Sequence, residues 1–342
     1  MMKIGIHHRE DSYSGRWIEY CRLHHIDYKI VNAYDSDIVQ QLADCDIFMW
    51  HFVQHNYKDM LFAKQLMFSL EQSGKIVFPD YHTAWHFDDK LGQKYLFEAN
   101  GIKLAPAYAF YTKKEAFAWI EKTTFPKVFK LRGGAGSANV LLVKSKREAK
   151  RFVRKSFGKG WHFFSGWRYF KEQCQFFKNG KVSFLKVIKG FGRIFILPEH
   201  AKMLPIHKGY AYFQEFIPNE GFDYRVEVCG DKCIAMVRYV RKNDFRASGG
   251  HNDHFEKELI PQDVILLAFK VVEKLKLQSS ALDIVRNKET GELFVIENSF
   301  CYGVDDDEFD HGYWDNYGNF HDEKFNGLDW MVECVVQKYA KA

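Results

Sequence analysis

Two carboxylates lie inside otherwise apolar segments near the end of the chain. Asp283 belongs to SALDIV, Glu297 belongs to LFVIEN, and the polar run NKETG separates the two segments. If residues 287–291 form the turn of a hairpin, residue 283 faces residue 295, and the two carboxylates lie diagonally on one face, about 7 Å apart. Because buried unpaired charge is costly and magnesium prefers oxygen ligands, the pattern favours a magnesium site that retains phosphate oxygens.

Several arginines precede this hairpin in the chain, namely Arg225, Arg238, Arg241 and Arg246. Strand alternation puts Arg225 and Glu227 on one face, so a structural ion pair is one account of them. Pairing of one hairpin carboxylate with Arg238 or Arg246, with the other carboxylate in solvent, is the alternative to a metal site. Arginines close to metal-bound carboxylates would instead stabilise an anionic transition state.

A lysine and a glycine-rich turn indicate phosphate binding earlier in the chain. Lys130 ends the strand FPKVFK, and the turn RGGAGSANV follows it. Glycines let backbone N–H groups converge on phosphate oxygens, but a flexible hairpin tip would have the same sequence. A Walker A loop is excluded because it needs a helix after the turn. Lys90 lies in the first turn of a predicted helix, where it opposes the helix dipole unless it contacts an anion.

The elements around these residues follow from the spacing of apolar side chains. Over residues 3–78, short apolar runs alternate with amphipathic stretches, which predicts a parallel sheet covered by helices. We therefore predict a small doubly wound N-terminal domain over 1–85. No GxGxxG motif follows its first strand, so a dinucleotide site there is not supported. The predicted elements are KIGIH, a helix over 14–24, YKIV, a helix over 36–43, DIFMW, a helix over 58–72 and KIVF.

The remainder is predicted to form two further domains, over 86–212 and 213–342. Predicted helices cover 113–122, the segment PQDVILLAFKVVEKLKL and the final GLDWMVECVVQKY. Residues 158–210 have little periodicity, and we expect weak β or mixed structure there. The predicted strands are AYAFY, FPKVFK, VLLV, YFQEFI, FDYRVEV, KCIAMVRYV, SALDIV and LFVIE. Gly230 and Asp231 are predicted to form the turn between FDYRVEV and KCIAMVRYV.

Composition excludes several classes of protein. At 342 residues with 46% hydrophobic and 27% charged residues, the chain can bury a large core, so disordered and collagen-like chains are excluded. It has no apolar run of the roughly 18 residues that a membrane span needs, and its opening does not resemble a signal peptide. We expect a cytoplasmic protein. The seven cysteines form no CxxC pairs, so they are expected to be reduced thiols rather than disulfides or zinc ligands.

The net charge of +5 conceals a partition along the chain. Residues 144–195 contain fifteen Lys or Arg and two acids, whereas residues 297–333 contain eleven acids and one lysine. The basic segment, with WHFFSGWRYFK at its centre, could bind an anionic substrate or simply be a solvated face. The acidic segment begins at Glu297, and Asp305, Asp306 and Asp307 could recognise an amine substrate or only balance the basic segment.

The ordered motifs together resemble the ATP-grasp superfamily, and most closely its branch of carboxylate-amine ligases that contains the ribosomal-protein glutamate ligase. The resemblance covers about residues 76–303. It implies an α/β fold, α+β in its C-terminal part, in which a two-lobed ATP-grasp domain follows the small doubly wound domain. The motifs are DDKL with Lys90, FPKVFK with the glycine loop, QEFI, DYRVEV, NDFR, LDIV and VIEN.

The resemblance also implies roles for individual residues. Lys90 and Lys130 would contact ATP phosphates, and Asp223 would bind the ribose. Arg246 matches an arginine near the transferred phosphoryl group, and Arg238 is assigned to catalysis beside it. The loop that closes over the phosphates would contain Gly133, Gly134, Gly136 and Ser137, and the hinge that binds adenine would be Glu215, Phe216 and Ile217.

Asp283 and Glu297 match the family's magnesium ligands. The family usually has an asparagine two residues after the metal glutamate, whereas here Asn298 follows Glu297 directly and Ser299 stands at the expected place. Alternation turns Asn298 away from Glu297 unless the strand bulges. The third ligand is therefore Asn298 with a bulge, Ser299 or water.

The leading hypothesis is an ATP- and Mg²⁺-dependent ligase that activates a carboxylate as an acyl phosphate and joins it to an amine. A small molecule, an acidic sugar or a surface glycan would supply the carboxylate. The alternative is a kinase or phosphotransferase on the same fold. A nucleic-acid, anionic-polymer or membrane-surface binding protein ranks third, because simple binding would not explain the ordered ATP motifs. The oligomeric state is open, and no transmembrane segment is expected.

Overall fold

The computed structural model describes residues 2–134, 140–162, 166–178, 180, 182–196, 202–241, 244–250, 252–304 and 308–341. Within them the chain divides into two compact units. Unit 1 contains Met1–Val53, Lys58–Ala105 and Ile217–Ala342, and unit 2 contains Gln54–Tyr57 and Pro106–Phe216. Unit 2 is thus almost entirely one continuous stretch of sequence.

Unit 1 begins with a parallel four-stranded sheet whose order is β2-β1-β3-β4. Ile47, Phe48 and Met49 of the central β3 are all fully buried, as is typical of parallel strands covered on both faces. The α/β fold class predicted from the alternating pattern is confirmed. The elements are β1 (Lys3–His7), α1 (Ser14–Leu23), β2 (Asp27–Val31), α2 (Ile38–Gln41), β3 (Ile47–Met49), α3 (Tyr57–Gln72), β4 (Ile76–Phe78), α4 (Tyr81–Ala84) and α5 (Lys90–Ala99).

Unit 2 contains an antiparallel four-stranded sheet with the order β5-β8-β6-β7. The strands that come first and last in sequence, β5 and β8, pair with Ala107 opposite Gln214, and the backbone N–H of Glu215 donates to the carbonyl of Pro106 at 2.8 Å. The two ends of the continuous stretch therefore lie side by side. The elements are β5 (Ala107–Phe110), α6 (Lys113–Lys122), β6 (Lys127–Lys130), β7 (Val140–Val143), α7 (Lys146–Ser156), α8 (Gly166–Lys178), α9 (Phe184–Phe195) and β8 (Ala211–Glu215).

The segment 158–210 differs from the expected weak β or mixed structure, because its main elements are the helices α8 and α9. Its Phe, Ile and Val residues favour strands and its glycines disfavour helices, so the local preferences conflict. Packing between the two helices resolves the conflict. A Cβ added at Gly190 would meet the side chain of Gln173 at 3.2 Å, and one added at Gly166 would meet the carbonyl oxygen of Arg193 at 2.1 Å.

Unit 1 continues with a mostly antiparallel sheet in the order β13-β12-β9-β10-β14-β15, with β11 paired to β10. Two 3₁₀ turns, Lys257–Leu259 and Glu308–Asp310, lie in the connections. The elements are β9 (Phe222–Cys229), β10 (Lys232–Tyr239), β11 (Asp253–His254), α10 (Gln262–Leu275), β12 (Ser279–Arg286), β13 (Leu293–Ser299), β14 (Tyr313–Asp315), β15 (Phe320–His321) and α11 (Gly327–Lys341).

One apolar core joins the two sheets of unit 1. It includes Ile4 and Trp17 from the parallel part together with Ile234 and Trp330 from the antiparallel part. Gln278 adds a polar brace, because its side chain accepts from the backbone of Asp80 at 2.7 Å and donates to the carbonyl of Val77 at 2.9 Å. No helix among the described residues is both long and apolar enough to cross a bilayer.

Candidate functional site

The antiparallel sheet of unit 1 presents a row of charged side chains on one face. Asp223, Arg225 and Glu227 alternate along β9, so all three point to the same side. Across the neighbouring strands, Asp283 of β12 lies opposite Arg225, and Glu297 of β13 lies opposite Asp283. These residues, with Arg238 and Lys90, are called the carboxylate cluster below.

The register of the hairpin formed by β12 and β13 differs from the predicted one. Ile284 lies opposite Val295, but Asp283 lies opposite Glu297, so Ile296 is an extra residue in β13. This bulge brings the two carboxylates directly across from each other instead of diagonally. The prediction that residue 283 faces residue 295 is therefore wrong, whereas the prediction that both carboxylates share one face is confirmed.

Arg238 holds two of the carboxylates together. Its Nε and Nη2 donate to the two oxygens of Asp223, each at 2.8 Å, and Nη2 also lies 2.9 Å from Oδ1 of Asp283. Arg225 donates to the same Oδ1 of Asp283 at 2.9 Å and to Glu227 at 2.9 Å. The ion pair considered for Arg225 and Glu227 is thus present, and it is part of a larger network.

Burial shifts the acid–base behaviour of this network. Desolvation raises the pKa of Asp223 to about 6, although the Arg238 guanidinium opposes the shift. Desolvation also raises the pKa of Glu227, against the effect of Arg225. Arg238 is only 5% exposed, so its positive charge is kept inside the protein by the carboxylates that it contacts.

Lys90 reaches the cluster from the first turn of α5. Its Nζ lies 3.2 Å from Oε2 of Glu297, and the side chain is buried. Burial opposes the charge of Lys90, but the carboxylates of Glu297 and Asp88 outweigh it and raise the pKa of the ammonium above its usual value. The cation that opposes the helix dipole therefore contacts an anion of the protein itself.

The chemistry of Asp283 and Glu297 fits magnesium. Their oxygens lie on one face of adjacent strands, and Mg²⁺ is usually held by one or two carboxylates, with waters and substrate phosphates completing the site. In the described part of the chain, no group of three or more His, Cys, Asp or Glu side chains is arranged to hold a metal by itself. The four carboxylates of the cluster exceed its three cations by one charge. A divalent cation is thus compatible with the cluster only together with other ligands.

The position of the bulge distinguishes between Asn298 and Ser299 as a third metal ligand. Asn298 lies opposite Leu282, on the other face of the sheet, and its Nδ2 donates to Ser280 at 3.2 Å. The bulge precedes Glu297 and so does not turn Asn298 toward Asp283, which argues against Asn298 as a metal ligand. Ser299 lies on the carboxylate face opposite Ala281, and its hydroxyl donates to the carbonyl of Cys301 at 2.8 Å. Ser299 and water remain as candidates.

Unit 2 carries the predicted phosphate lysine and part of the glycine turn. Lys130 is buried at the end of β6, opposite Tyr212. Gly133 and Gly134 follow it, and the φ of 127° at Gly134 favours glycine. Gly136 and Ser137 lie outside the described residues.

The three hinge residues predicted to bind adenine lie at the boundary that the two units share in sequence. Glu215 accepts from the buried Lys127 at 2.7 Å, a pairing that the sequence motifs do not predict. Phe216 is the last residue of unit 2 and Ile217 the first of the following part of unit 1. Ile217 packs in a small apolar group with Ala105, Val285 and Phe294.

The predicted catalytic residue Arg246 lies in the loop after β10. Its guanidinium pairs with Asp244 at 2.6 Å, and the Nε also donates to both Asp244 oxygens. This local pairing holds the Arg246 side chain close to its own loop. Its role at a transferred phosphoryl group stays a prediction, as do the roles of the other site residues.

A second polar cluster was not found from the sequence. Asp59 is buried, pairs with Arg9 at 3.2 Å and accepts from the hydroxyl of Tyr34 at 2.5 Å. Arg9 and Tyr34 lie just beyond the carboxyl ends of β1 and β2, where open α/β sheets usually bind ligands. Applied to the ends of the predicted strands, that rule would have indicated a polar site at this edge of the sheet.

The strand β13, which carries Glu297, ends beside the parallel sheet of unit 1. Cys301, two residues beyond β13, lies 3.2 Å from Nε2 of His51, which follows β3. Burial raises the pKa of the Cys301 thiol to about 12, so the thiol is neutral near pH 7 and poorly suited to act as a nucleophile. Within unit 1, the carboxyl edge of the parallel sheet and the end of the β12–β13 hairpin therefore meet.

The chain matches no protein-family model and no curated protein sequence. It does resemble solved structures. A RimK domain ATP-grasp protein from Sphaerobacter thermophilus is 14% identical with a TM-score of 0.52, over 88% of this chain and 92% of that one. A D-alanine–D-alanine ligase from Bacillus anthracis, solved with ATP, is 13% identical with a TM-score of 0.56, over 99% and 98%. D-alanyl-alanine synthetase A from Vibrio cholerae is 10% identical with a TM-score of 0.58, over 100% and 99%.

Proposed function

We propose that this chain, which has the ATP-grasp fold, is an ATP-dependent ligase that joins a substrate carboxylate to an amine. The ATP-grasp resemblance predicted from the ordered motifs is confirmed at the level of the fold. The observation that carries the proposal is the direct opposition of Asp283 and Glu297 on neighbouring strands, with Lys90 beside them. Two carboxylates and a buried ammonium are the groups needed to position a metal-bound polyphosphate.

The roles proposed for the residues follow from their contacts. Asp283 and Glu297 would hold Mg²⁺, which would supply positive charge to offset that of the phosphates. Arg225 and Arg238 fix the Asp283 carboxylate through Oδ1, which makes them positioning residues in this scheme. Lys90 would exchange its contact with Glu297 for a phosphate oxygen, and Lys130 of unit 2 keeps its predicted phosphate role.

The reaction would proceed in two balanced steps. An oxygen of the substrate carboxylate attacks the γ-phosphorus of ATP, the bond to the β-phosphate oxygen breaks, and ADP leaves. The amine then attacks the carbonyl carbon of the acyl phosphate, the carbon–oxygen bond to phosphate breaks, and the amine loses a proton. No protein nucleophile takes part, in agreement with the neutral Cys301 thiol. Positioning and electrostatics supply the catalysis.

The substrate is proposed to bind at the carboxyl edge of the parallel sheet, near Arg9 and His51. This edge meets the end of the β12–β13 hairpin at Cys301, and Arg9 is a cation suited to a carboxylate. The carboxylate donor would be an amino acid or an acidic sugar, including one carried on a surface glycan. The basic composition of residues 144–195 supports an anionic substrate but does not distinguish among these classes.

Trapping of the acyl phosphate tests the proposal. The enzyme is supplied with ATP, Mg²⁺ and hydroxylamine, and a panel of amino acids and uronic acids is screened for ADP release and for acyl hydroxamate. We expect one carboxylate class to give both products in equal amounts. Release of ADP without any hydroxamate would refute a ligase and favour a phosphotransferase.

Glu297→Gln distinguishes metal chemistry at this site from turnover elsewhere. Because metal stabilisation of transition-state charge is worth several kcal/mol, the variant is expected to lose at least about 100-fold in kcat. Glu292→Gln is the matched control. It lies at the turn end of the same hairpin, directly before β13, in an exposed ion pair with Lys103 and should keep turnover within about twofold. Intact turnover in Glu297→Gln would refute the metal assignment.

A further inference from the structure

The helix α9 exposes a stripe of large apolar side chains. Phe184, Ile188, Phe191 and Phe195 are spaced four, three and four residues apart, so they share one face of the helix. Their exposed fractions are 60, 53, 52 and 74%. Such a stripe normally faces a protein core. We call these four residues the apolar stripe.

The opposite side of α9 is basic. Lys186, Lys189 and Arg193 are exposed and lie roughly half a turn away from the apolar stripe at about 100° per residue. On α8, Lys171 and Lys178 are exposed as well. Among the side chains that the structure describes in these two helices, five are cations and none is a carboxylate. The pair therefore combines apolar surface with positive charge.

Helix α8 supports α9 without covering the apolar stripe. The helices meet through their glycines, with Gly190 against Gln173 and Gly166 against the backbone of Arg193. Ring contacts tie the edges of the pair, with centroids 5.5 Å apart for Phe170 and Phe191. The backbone contacts fix α9 against α8, so the stripe stays exposed on a supported helix.

We infer that the α8–α9 pair docks on an anionic lipid bilayer. The apolar stripe would lie at the boundary between headgroups and acyl chains, and the lysines and Arg193 would contact lipid phosphates. This interaction goes beyond the proposed ligase reaction and does not depend on it. It would bring the enzyme to substrates held at a membrane surface.

Charge complementarity selects this partner over two others. A second copy of the chain would oppose five cations with five more, which costs binding energy. A nucleic acid would neutralise the cations but would leave Phe184 and Phe195 in water, because its outer surface is a row of phosphates. An anionic bilayer offers negative charge and an apolar interior at the depth of one helix radius.

Vesicle sedimentation tests the inference with the full chain. Wild-type protein is mixed with vesicles of phosphatidylcholine and phosphatidylglycerol, and separately with vesicles of phosphatidylcholine alone. We expect binding to the mixed vesicles that weakens with salt and much weaker binding to the neutral ones. Lys186→Gln with Lys189→Gln should reduce the partition coefficient by about 25-fold, since each surface base contributes about fivefold. Equal binding to both vesicle types would overturn the proposal.

Removal of the stripe separates insertion from simple charge attraction. Phe191→Ser with Phe195→Ser changes exposed side chains and should reduce binding at least about tenfold at unchanged helix content. Leu61→Ser on α3, which is 72% exposed, and Lys114→Gln with Lys122→Gln on α6 are the matched controls and should bind as wild type. Unchanged vesicle binding after removal of the stripe would refute insertion.

Self-association is measured in the same preparation without lipid. Sedimentation velocity should give the same mass for wild type and for Phe191→Ser with Phe195→Ser. If the wild type instead forms a dimer that the double variant loses, the stripe is an interface between copies, and the membrane proposal is wrong. Hydroxamate formation with a soluble substrate should be unaffected by Phe191→Ser with Phe195→Ser, so failure here is distinguishable from failure of the ligase proposal.

Discussion

Replacement of Arg238 by methionine would break the carboxylate cluster at its centre. The guanidinium makes two contacts of 2.8 Å with Asp223 and one of 2.9 Å with Asp283. Asp283 would keep Arg225 at 2.9 Å, but Asp223 has no other hydrogen-bonded cation among the described residues. The loss should therefore concentrate on Asp223. Removal of one partner of a buried ion pair costs about 3 to 5 kcal/mol, far more than loss of an exposed pair.

The size of this loss should depend on pH, because Asp223 can be protonated. Burial already raises the pKa of Asp223 to about 6 with Arg238 present, and removal of the guanidinium would raise it further. A raised carboxyl pKa favours the protonated form in the fold, so stability falls as pH rises through that pKa. Each further unit makes Arg238→Met about 1.4 kcal/mol less destabilising at about pH 5 than at about pH 8.

The assay is urea unfolding followed by circular dichroism at both pH values. Asp223→Asn in the Arg238→Met background should recover part of the lost stability at the higher pH, because the uncompensated charge is gone. Lys324→Met, in an exposed ion pair with Asp310, is the control and should cost less than about 1 kcal/mol at either pH. An equal loss for Arg238→Met at both pH values, or additive losses in the double variant, would refute the reasoning.

Two further predictions concern the stability of the fold. Burial lowers the pKa of His86 to about 4, so this residue contributes stability above pH 6.5 that is lost as pH falls toward 4. His86→Phe should therefore remove about 3 kcal/mol of acid sensitivity in urea titrations, and equal acid sensitivity of the wild type and the variant would contradict this. In the α8–α9 pair, Gly166→Ala should lower Tm because its Cβ would meet backbone at 2.1 Å. Gly192→Ala, whose Cβ would meet nothing within 4 Å, should raise stability by about 0.5 to 1 kcal/mol, and the reverse order of Tm values would contradict the packing described for these helices.

Much of the fold followed from local periodicity. The parallel strands around Ile4 and Ile47 are short apolar runs, and helices such as α10 repeat apolar residues every three or four positions. These patterns lie within single elements, so they can be recognised without knowing which other elements pack against them. The same reasoning failed for α9, whose apolar stripe faces solvent and whose Gly190 lies at the contact with α8.

The sequence predicted which residues would form the candidate site, but not the contacts among them. Asp283 and Glu297 were assigned to one face, yet the extra residue Ile296 changed their register, and spacing alone does not reveal a bulge. The pairing of Asp223 with Arg238 could have been predicted. A two-residue turn at 230–231 fixes the hairpin register and puts these two residues directly opposite each other.

Contacts between segments that are distant in sequence could not be predicted from local spacing or turn length. Arg9 and Asp59 are separated by fifty residues, and Cys301 meets His51 across two hundred and fifty. Such pairs depend on how the two sheets of unit 1 share a core, which no local pattern encodes. The sequence could indicate only the region where such contacts occur, which is the carboxyl edge of the parallel sheet.

The continuity of unit 2 makes residues 106–216 a transferable module. Its first and last strands in sequence, β5 and β8, pair in one sheet, and the residues that flank it, Ala105 and Ile217, pack in one apolar group of unit 1. A recombination event could therefore replace the whole stretch, including α8 and α9, because the two points of exchange, next to Ala105 and Ile217, lie close together in unit 1. The carboxylate cluster would be inherited unchanged, because Lys90 and the strands β9, β10, β12 and β13 all lie outside the exchanged stretch. Membrane docking and the carboxylate cluster are in this sense separately heritable traits of one polypeptide.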